Sequence, residues 1–206
     1  MKLAVSILVT DYDEEETIAR INETTADYLH VDVTDGSFVS QRTPQRDFLH
    51  TSKKPLNVHL MVSRPFDYIS MFKELQAESI TIQAELEDDL NSLLDYIHEL
   101  GMKCGLALCP KTSVSAVEEY ANKLDEVLIL SVTPGVGGQK MIESTLDKIE
   151  ELENLREKEG YQFKIFVDGG VNGETIGKIR GADAVIVGSF ICKSEDYQAQ
   201  IDKLGL

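Results

Sequence analysis

Tyr28-Leu29-His30-Val31-Asp32-Val33-Thr34-Asp35-Gly36 is the stretch whose reading decides the fold. Its first part, Tyr28–Val33, reads as a short buried β-strand. Side chains two apart share one face of a strand. Val31 and Val33 therefore point toward covering helices, while His30 and Asp32 point the other way with Thr34 beyond them. Asp35-Gly36 then turns the chain out of the strand. An apolar outer face and a polar inner face near the carboxyl end suit a barrel whose chemistry lies at that end.

Similar runs recur on both sides of this segment, at Leu3–Val9, Asn57–Val62, Ser79–Ala84, Gly105–Leu108, Glu126–Val132, Lys164–Val167 and Ala184–Val187. Their continuous Val, Ile and Leu content fits parallel strands covered on both faces. Amphipathic stretches lie between them. Phe66–Leu75, Leu90–Leu100 (with Gly101 as a stop) and Met141–Leu155 carry apolar residues at helical spacing. Ser113 and Asn172 stand where N-caps belong, and Glu14-Glu15-Glu16 opens the first helix, where acidic residues favour its positive end. Ser40–Lys54 reads as a long loop with a short or irregular helix, and Glu195–Leu204 as a short last helix. Eight strands alternating with seven or eight helices predict one (β/α)8 barrel, a TIM barrel, spanning residues 1–206 as a single domain. A doubly wound open sheet is the alternative.

Composition agrees. The 206 residues are 42% hydrophobic and 27% charged, the balance of an ordinary globular protein. The net charge of −16 argues against non-specific nucleic-acid binding and against an anionic membrane surface. Cys104, Cys109 and Cys192 form no CxxC pair and read as reduced thiols. No apolar run approaches the roughly 18 residues of a membrane span. Met1–Val9 is too short for a signal peptide and meets Asp11 and Asp13 at once. A cytoplasmic protein is expected.

Polar residues near strand ends are the candidates for chemistry. They are His30 and Asp32 on the second strand, His59 on the third and Asp168 at the end of the seventh. Converging in a barrel mouth, two imidazoles and two carboxylates suit one divalent Zn, Fe, Co or Mn ion. Singly, each has a plainer reading: His–x–Asp as a hydrogen-bonded pair, a strand histidine as a satisfied core residue. Buried carboxylates are rarer, because an unpaired one is costly to desolvate. Three glycine loops form a second constellation: Thr133-Pro134-Gly135-Val136-Gly137-Gly138-Gln139 after the sixth strand, Asp168-Gly169-Gly170-Val171-Asn172-Gly173 after the seventh, and Gly188-Ser189 after the eighth. Glycines let backbone N–H groups approach an anion, and the last two loops are the usual barrel phosphate site. His50 and His98 read as surface residues, and Cys109 as a buried thiol.

Taken in order, these blocks resemble the ribulose-phosphate 3-epimerase family of phosphate-binding TIM barrels. The resemblance runs from Ser6-Ile7-Leu8 through Leu29–Val39, Val58-His59-Leu60-Met61-Val62, Pro134–Gln139 and Val167–Val171 to Gly188-Ser189. It implies that His30, Asp32, His59 and Asp168 hold one divalent metal, and that Asp32 and Asp168 are the acid/base pair. It further implies that Ser6 touches substrate, that His59, Gly135, Val136, Gly137, Gly138, Gly169, Gly170, Gly188 and Ser189 line the sugar-phosphate site, and that the protein is a homo-oligomer. The implied reaction interconverts ribulose 5-phosphate and xylulose 5-phosphate, an isomerase step of the pentose phosphate pathway. Inversion beside a ketone needs a proton removed from one face and another delivered to the other. Two carboxylates can do this through an enediolate that a metal stabilises.

Several positions depart from the family pattern. Thr34 and Leu130 stand where methionine is usual, Gln83 where histidine is typical, and Asn57 where aspartate is. Val136 replaces an aromatic residue, Ser131 and Thr133 replace a threonine and a glutamate, and Ser40-Gln41 replaces Pro-Asn. These changes keep open a hexulose phosphate such as allulose 6-phosphate as substrate, or a non-catalytic sugar-phosphate sensor. Decarboxylation or aldol cleavage calls for a lysine near the chemistry, and the second and third strands offer none. Given the net charge, a phosphate is expected to be held by backbone N–H groups at short range, without a basic side chain or long-range steering.

Overall fold

The structure is a computed structural model that describes residues 1–44 and 46–206; Gln45, within the expected Ser40–Lys54 loop, lies outside the described residues. Eight parallel strands close into a barrel in chain order. They are β1 (Lys2–Ser6), β2 (Tyr28–Thr34), β3 (Leu56–Met61), β4 (Ser79–Gln83), β5 (Lys103–Leu108), β6 (Glu126–Leu130), β7 (Lys164–Asp168) and β8 (Ala184–Val187). Pairing of Leu3 with Val185 and of Ala4 with Ile186 closes the ring and excludes the open sheet.

Two expected strands end early. β1 stops at Ser6, where the Leu8 N–H turns back to the Ser6 hydroxyl at 3.2 Å. β6 stops at Leu130, because Ser131 donates both its N–H and its hydroxyl to the carbonyl of Asp168, at 2.7 and 2.8 Å. The last turn of that strand is thereby tied to the loop after β7.

The helices follow their caps. α1 (Glu14–Asn22) starts on Asp13, whose carboxylate accepts from the Glu16 N–H. α2 (Phe66–Glu74) follows β3, and α3 (Leu90–Glu99) starts on Asp89 and is followed by Gly101 at φ +79°. Met141–Leu155 was expected to be one helix; instead a 3-10 turn, Glu143–Leu146, leads into α4 (Asp147–Glu159), which ends at Gly160. Ser113 and Asn172 do cap, but the elements they open are 3-10 turns: Val114–Val117, and a turn leading to Ile176–Lys178. The barrel closes with α5 (Ser189–Cys192) and α6 (Tyr197–Asp202). The expected short helix of the long loop is the 3-10 turn Leu49–Thr51.

Packing has two shells. Val5, Val31, Val58, Ile80, Leu106, Val127, Val167 and Val185 face outward into a continuous core with the helices. Truncating a fully buried member such as Phe72 to alanine costs about 3–5 kcal/mol, a large share of the roughly 5–15 kcal/mol that holds a domain folded. Inside the barrel the lining is uneven. Ala4, Tyr28, Ala107, Leu128, Leu130, Phe166, Ala184 and Ile186 form a small apolar cluster. His30, Asp32, Asn57, His59, Ser79, Thr81 and Gln83, all buried on β2 to β4, form a polar wall.

Candidate active site

Strand register builds the site. Asp32 lies opposite His59 across β2–β3, and Leu130 opposite Asp168 across β6–β7. One ligand atom from each of His30, Asp32, His59 and Asp168 lies within 4.8 Å of the other three. The barrel thus brings all four sequence-predicted ligands together. Asp32 is the hub. Its Oδ2 accepts the Ser6 hydroxyl at 2.8 Å, and its Oδ1 lies 3.3 Å from Nδ1 of His59 and 3.4 Å from Nε2 of His30.

The two carboxyl groups have opposite tendencies. Burial works against charge on Asp32, but the flanking His30 and His59 outweigh it and hold the carboxyl well below its usual range. Burial, and then the Asp32 charge, push Asp168 up to about 7. Burial opposes charge on both imidazoles. For His30 the facing Asp32 prevails and raises it to about 9, whereas His59 stays lowered. An ionised carboxylate beside a carboxyl poised near neutrality can exchange protons in both directions.

The donor set fits a metal. Buried Nε2 of His30 has no hydrogen-bond partner among the described residues, and two imidazoles with two carboxylates are ligands suited to a borderline divalent ion. The ring atoms facing away are held: Nδ1 of His30 lies 2.6 Å from Oδ1 of Asn57, and Nε2 of His59 lies 2.7 Å from Nε2 of Gln83. Such outer partners orient metal-binding histidines.

A cavity of about 630 Å³ opens beside this cluster, lined by Asp168 and by Gly138, Gly169, Gly170, Gly188 and Ser189. Gly169 and Gly170 have φ of +114° and +65°, and a Cβ on Gly170 would run into the Met141 backbone. Glycine is what lets that loop pack and present its N–H groups. Gly135, Val136 and Gly137 stand apart from the lining: Gly135 packs on Val39, Gly137 on Val9, and the Val136 side chain is exposed. Ser6 is engaged with Asp32.

Among known proteins, the sequence profile described as the ribulose-phosphate 3 epimerase family matches residues 2–192. The chain is 39% identical over 185 residues to the ribulose-phosphate 3-epimerase of Aquifex aeolicus, covering 87% of this chain and 83% of that one. It is 35% identical to the ribulose-phosphate 3-epimerase of Bacillus subtilis, covering 99% and 98%. The chain belongs to the ribulose-phosphate 3-epimerase family. Its fold is shared more widely: 3-hexulose-6-phosphate synthase from Salmonella typhimurium superposes with a TM-score of 0.68 at 18% identity, covering 99% of this chain and 96% of that one.

Within this epimerase-family barrel, two features escaped the sequence reading. Lys140, Lys178 and Lys193 also line the cavity; Lys178 is paired with Glu143 at 2.6 Å. Basic side chains therefore stand beside the glycine loops, where backbone groups alone were expected. The second is Glu126, a carboxylate buried inside the barrel. His50 and His98 are exposed as expected, with His98 on Asp125 at 2.8 Å. Asp125 also accepts the Cys104 N–H, which anchors the start of β5. Cys104 and Cys192 are buried and Cys109 is half-buried, all three free. Among the described residues, no helix is long and apolar enough to cross a membrane.

Proposed function

We propose that this chain interconverts ribulose 5-phosphate and xylulose 5-phosphate by inverting C3, with Asp32 and Asp168 as the acid/base pair. The observation that carries the reading is the gathering of His30, Asp32, His59 and Asp168 within 4.8 Å, with the two carboxyls shifted in opposite directions. In one direction the ionised Asp32 takes the C3 proton and protonated Asp168 delivers another; in the other direction the roles exchange. Ser6 steadies Asp32 through its hydroxyl. His30, Asp32, His59 and Asp168 would hold one divalent Zn, Fe, Co or Mn ion, which supplies Lewis-acid stabilisation of the charge that develops on the substrate oxygens.

Gly138, Gly169, Gly170, Gly188 and Ser189 would receive the phosphate in the cavity, with Lys193 beside it, so that remote binding energy orients the reacting carbon. Gly135, Val136 and Gly137, which the family resemblance assigns to the sugar-phosphate site, precede Gly138 in the same loop. The same reading places the enzyme in the cytoplasm as a homo-oligomer. The test is a pentulose-phosphate epimerisation assay with each metal added. Asp32→Asn and Asp168→Asn are each expected to lower kcat by about 10²–10⁴-fold. Undiminished turnover in both variants would overturn the mechanism.

One observation favours a second substrate. Thr34 Oγ1 is buried at the end of β2 without a hydrogen-bond partner among the described residues, and a hydroxyl there suits the extra polar carbon of a hexulose phosphate. Comparing kcat/KM on five- and six-carbon ketose phosphates separates the two. A higher value on the hexulose would replace the pentulose assignment.

A further inference from the structure

Among the described residues, Glu126 is the one buried carboxylate inside the barrel that the proposed chemistry leaves unused. It sits at the start of β6, inside the barrel, and the fold makes room for it. A Cβ on the paired Gly105 would lie 2.5 Å from Glu126 Cγ and 2.7 Å from Thr81 Oγ1. Thr81 donates its hydroxyl to Glu126 Oε1 at 2.5 Å. Asn57 donates its amide to Oε1 and Oε2 at 3.0 and 3.2 Å, and to Ser79 Oγ at 2.6 Å. The other end of that amide, Oδ1, lies 2.6 Å from Nδ1 of His30.

With Glu126 ionised, these contacts leave Asn57 one orientation. Its NH₂ can only donate and its Oδ1 can only accept. Reversed, Oδ1 would face the Glu126 oxygens and the amide would lose both of those bonds. Held as it is, Oδ1 demands a proton on Nδ1 of His30. The neutral ring then carries its lone pair on Nε2, the buried atom that faces Asp32 at 3.4 Å and lacks a hydrogen-bond partner among the described residues.

We propose that Glu126 is a positioning residue that acts through Asn57 to fix the His30 tautomer with Nδ1 protonated and Nε2 free to bind a metal. The proposal rests on the assignment of His30 as a ligand. The geometry also predicts how the relay can be rebuilt. A carboxylate at position 57 accepts from Nδ1 directly and has no amide to orient, so it makes Glu126 dispensable; with Glu126 retained, the two carboxylates would repel.

The test is ¹⁵N NMR of the His30 ring nitrogens in metal-free protein, followed as pH is raised until the ring is neutral, together with Zn²⁺ titration by calorimetry. In the unaltered protein Nε2 is expected to lose its proton while Nδ1 keeps one. In Glu126→Met the loss is shared between both nitrogens and Zn²⁺ affinity falls by about 10–100-fold, the usual effect of removing an outer partner. In the double variant N57D/E126M, Nδ1 keeps its proton again and most of the affinity returns. Loss of the proton from Nδ1 in the unaltered protein overturns the proposal, and that measurement needs no variant to fold. An E126M spectrum identical to the unaltered one overturns it as well. Failure of the unaltered protein to take up Zn²⁺, Fe²⁺, Co²⁺ or Mn²⁺ would instead remove the ligand assignment, while the tautomer measurement still decides whether Glu126 orients the ring.

Discussion

His59 and Gln83 meet with Nε2 of the ring 2.7 Å from the side-chain amide. The Gln83 atom at that distance is Nε2, which donates to the ring nitrogen and leaves the His59 proton on Nδ1, toward Asp32. A histidine that binds a metal through Nδ1 needs its Nε2 proton accepted by a partner, so metal uptake at Nδ1 calls for the Gln83 amide to turn its oxygen toward the ring. Gln83→Leu is expected to weaken Zn²⁺ binding by about 10–100-fold and, because it strands the buried Nε2 of His59, to cost about 1–3 kcal/mol of stability. Calorimetric titration showing unaltered affinity would remove Gln83 from the metal site.

Burial raises the Glu126 carboxyl above its ordinary 4.5, and hydrogen bonds from Thr81 and Asn57 only partly offset this. The folded state therefore holds that proton more tightly than the unfolded chain does. Its contribution to stability is fully present below the unfolded value and is lost as pH rises through the folded one. Glu126→Gln cannot titrate. The stability of the unaltered protein relative to this variant should fall from acidic to neutral pH, as read by urea unfolding at several pH values. A difference that is flat with pH, or that grows in the opposite sense, refutes the shift.

Gly160 and Gly170 share positive φ, at +75° and +65°, but not surroundings. A Cβ on Gly160 meets nothing within 4 Å, whereas one on Gly170 collides with the Met141 backbone. Gly160→Ala should cost only the left-handed backbone penalty of about 1–2 kcal/mol. Gly170→Ala should cost more and also raise KM for the sugar phosphate, since the cavity wall must move. Equal losses in urea unfolding, or an unchanged KM, would contradict this account of the loop.

Burial pushes the thiols of Cys104, Cys109 and Cys192 up to about 12. Thiolate is the reactive form, so all three should resist iodoacetamide at pH 8 in the folded protein and react once it is unfolded in denaturant. Mass spectrometry after timed alkylation reads this out. Rapid labelling of native Cys104 or Cys192 would show that the barrel opens readily at those sites.

Much of this architecture is legible in the sequence, for a physical reason. In a closed parallel barrel strand order is chain order, so reading apolar runs in sequence also reads the sheet. The same rule puts strand-end residues around one mouth, which is why His30, Asp32, His59 and Asp168 emerge as a set before any coordinates. Glu126 does not emerge, because a glutamate that opens the run Glu126–Val132 looks like a solvent-facing strand start. Only the register that sets Gly105 against it shows the space it fills. Ser6 was expected to touch substrate, and its bond to Asp32 depends on a contact between β1 and β2 that spacing does not encode. The turns after β5 and β7 carry good caps, yet the elements that follow are 3-10 turns, and a cap alone does not distinguish a 3-10 turn from an α-helix. Lys178 and Lys193 lie in segments whose approach to the glycine loops appears only in three dimensions.

The uneven lining of the barrel sets how this site can change over time. On the side of Leu128, Leu130 and Ile186 neighbours touch only through shape. A single exchange of one aliphatic residue for another can there alter the room offered to a sugar and leave the ligands undisturbed. On the side of β2 to β4 each polar group is another's hydrogen-bond partner, Asn57 with Glu126 and Gln83 with His59. A lone replacement there strands a buried donor or acceptor, at a cost of about 1–3 kcal/mol. One wall is thus open to drift by single steps, and the other moves only when two residues move together.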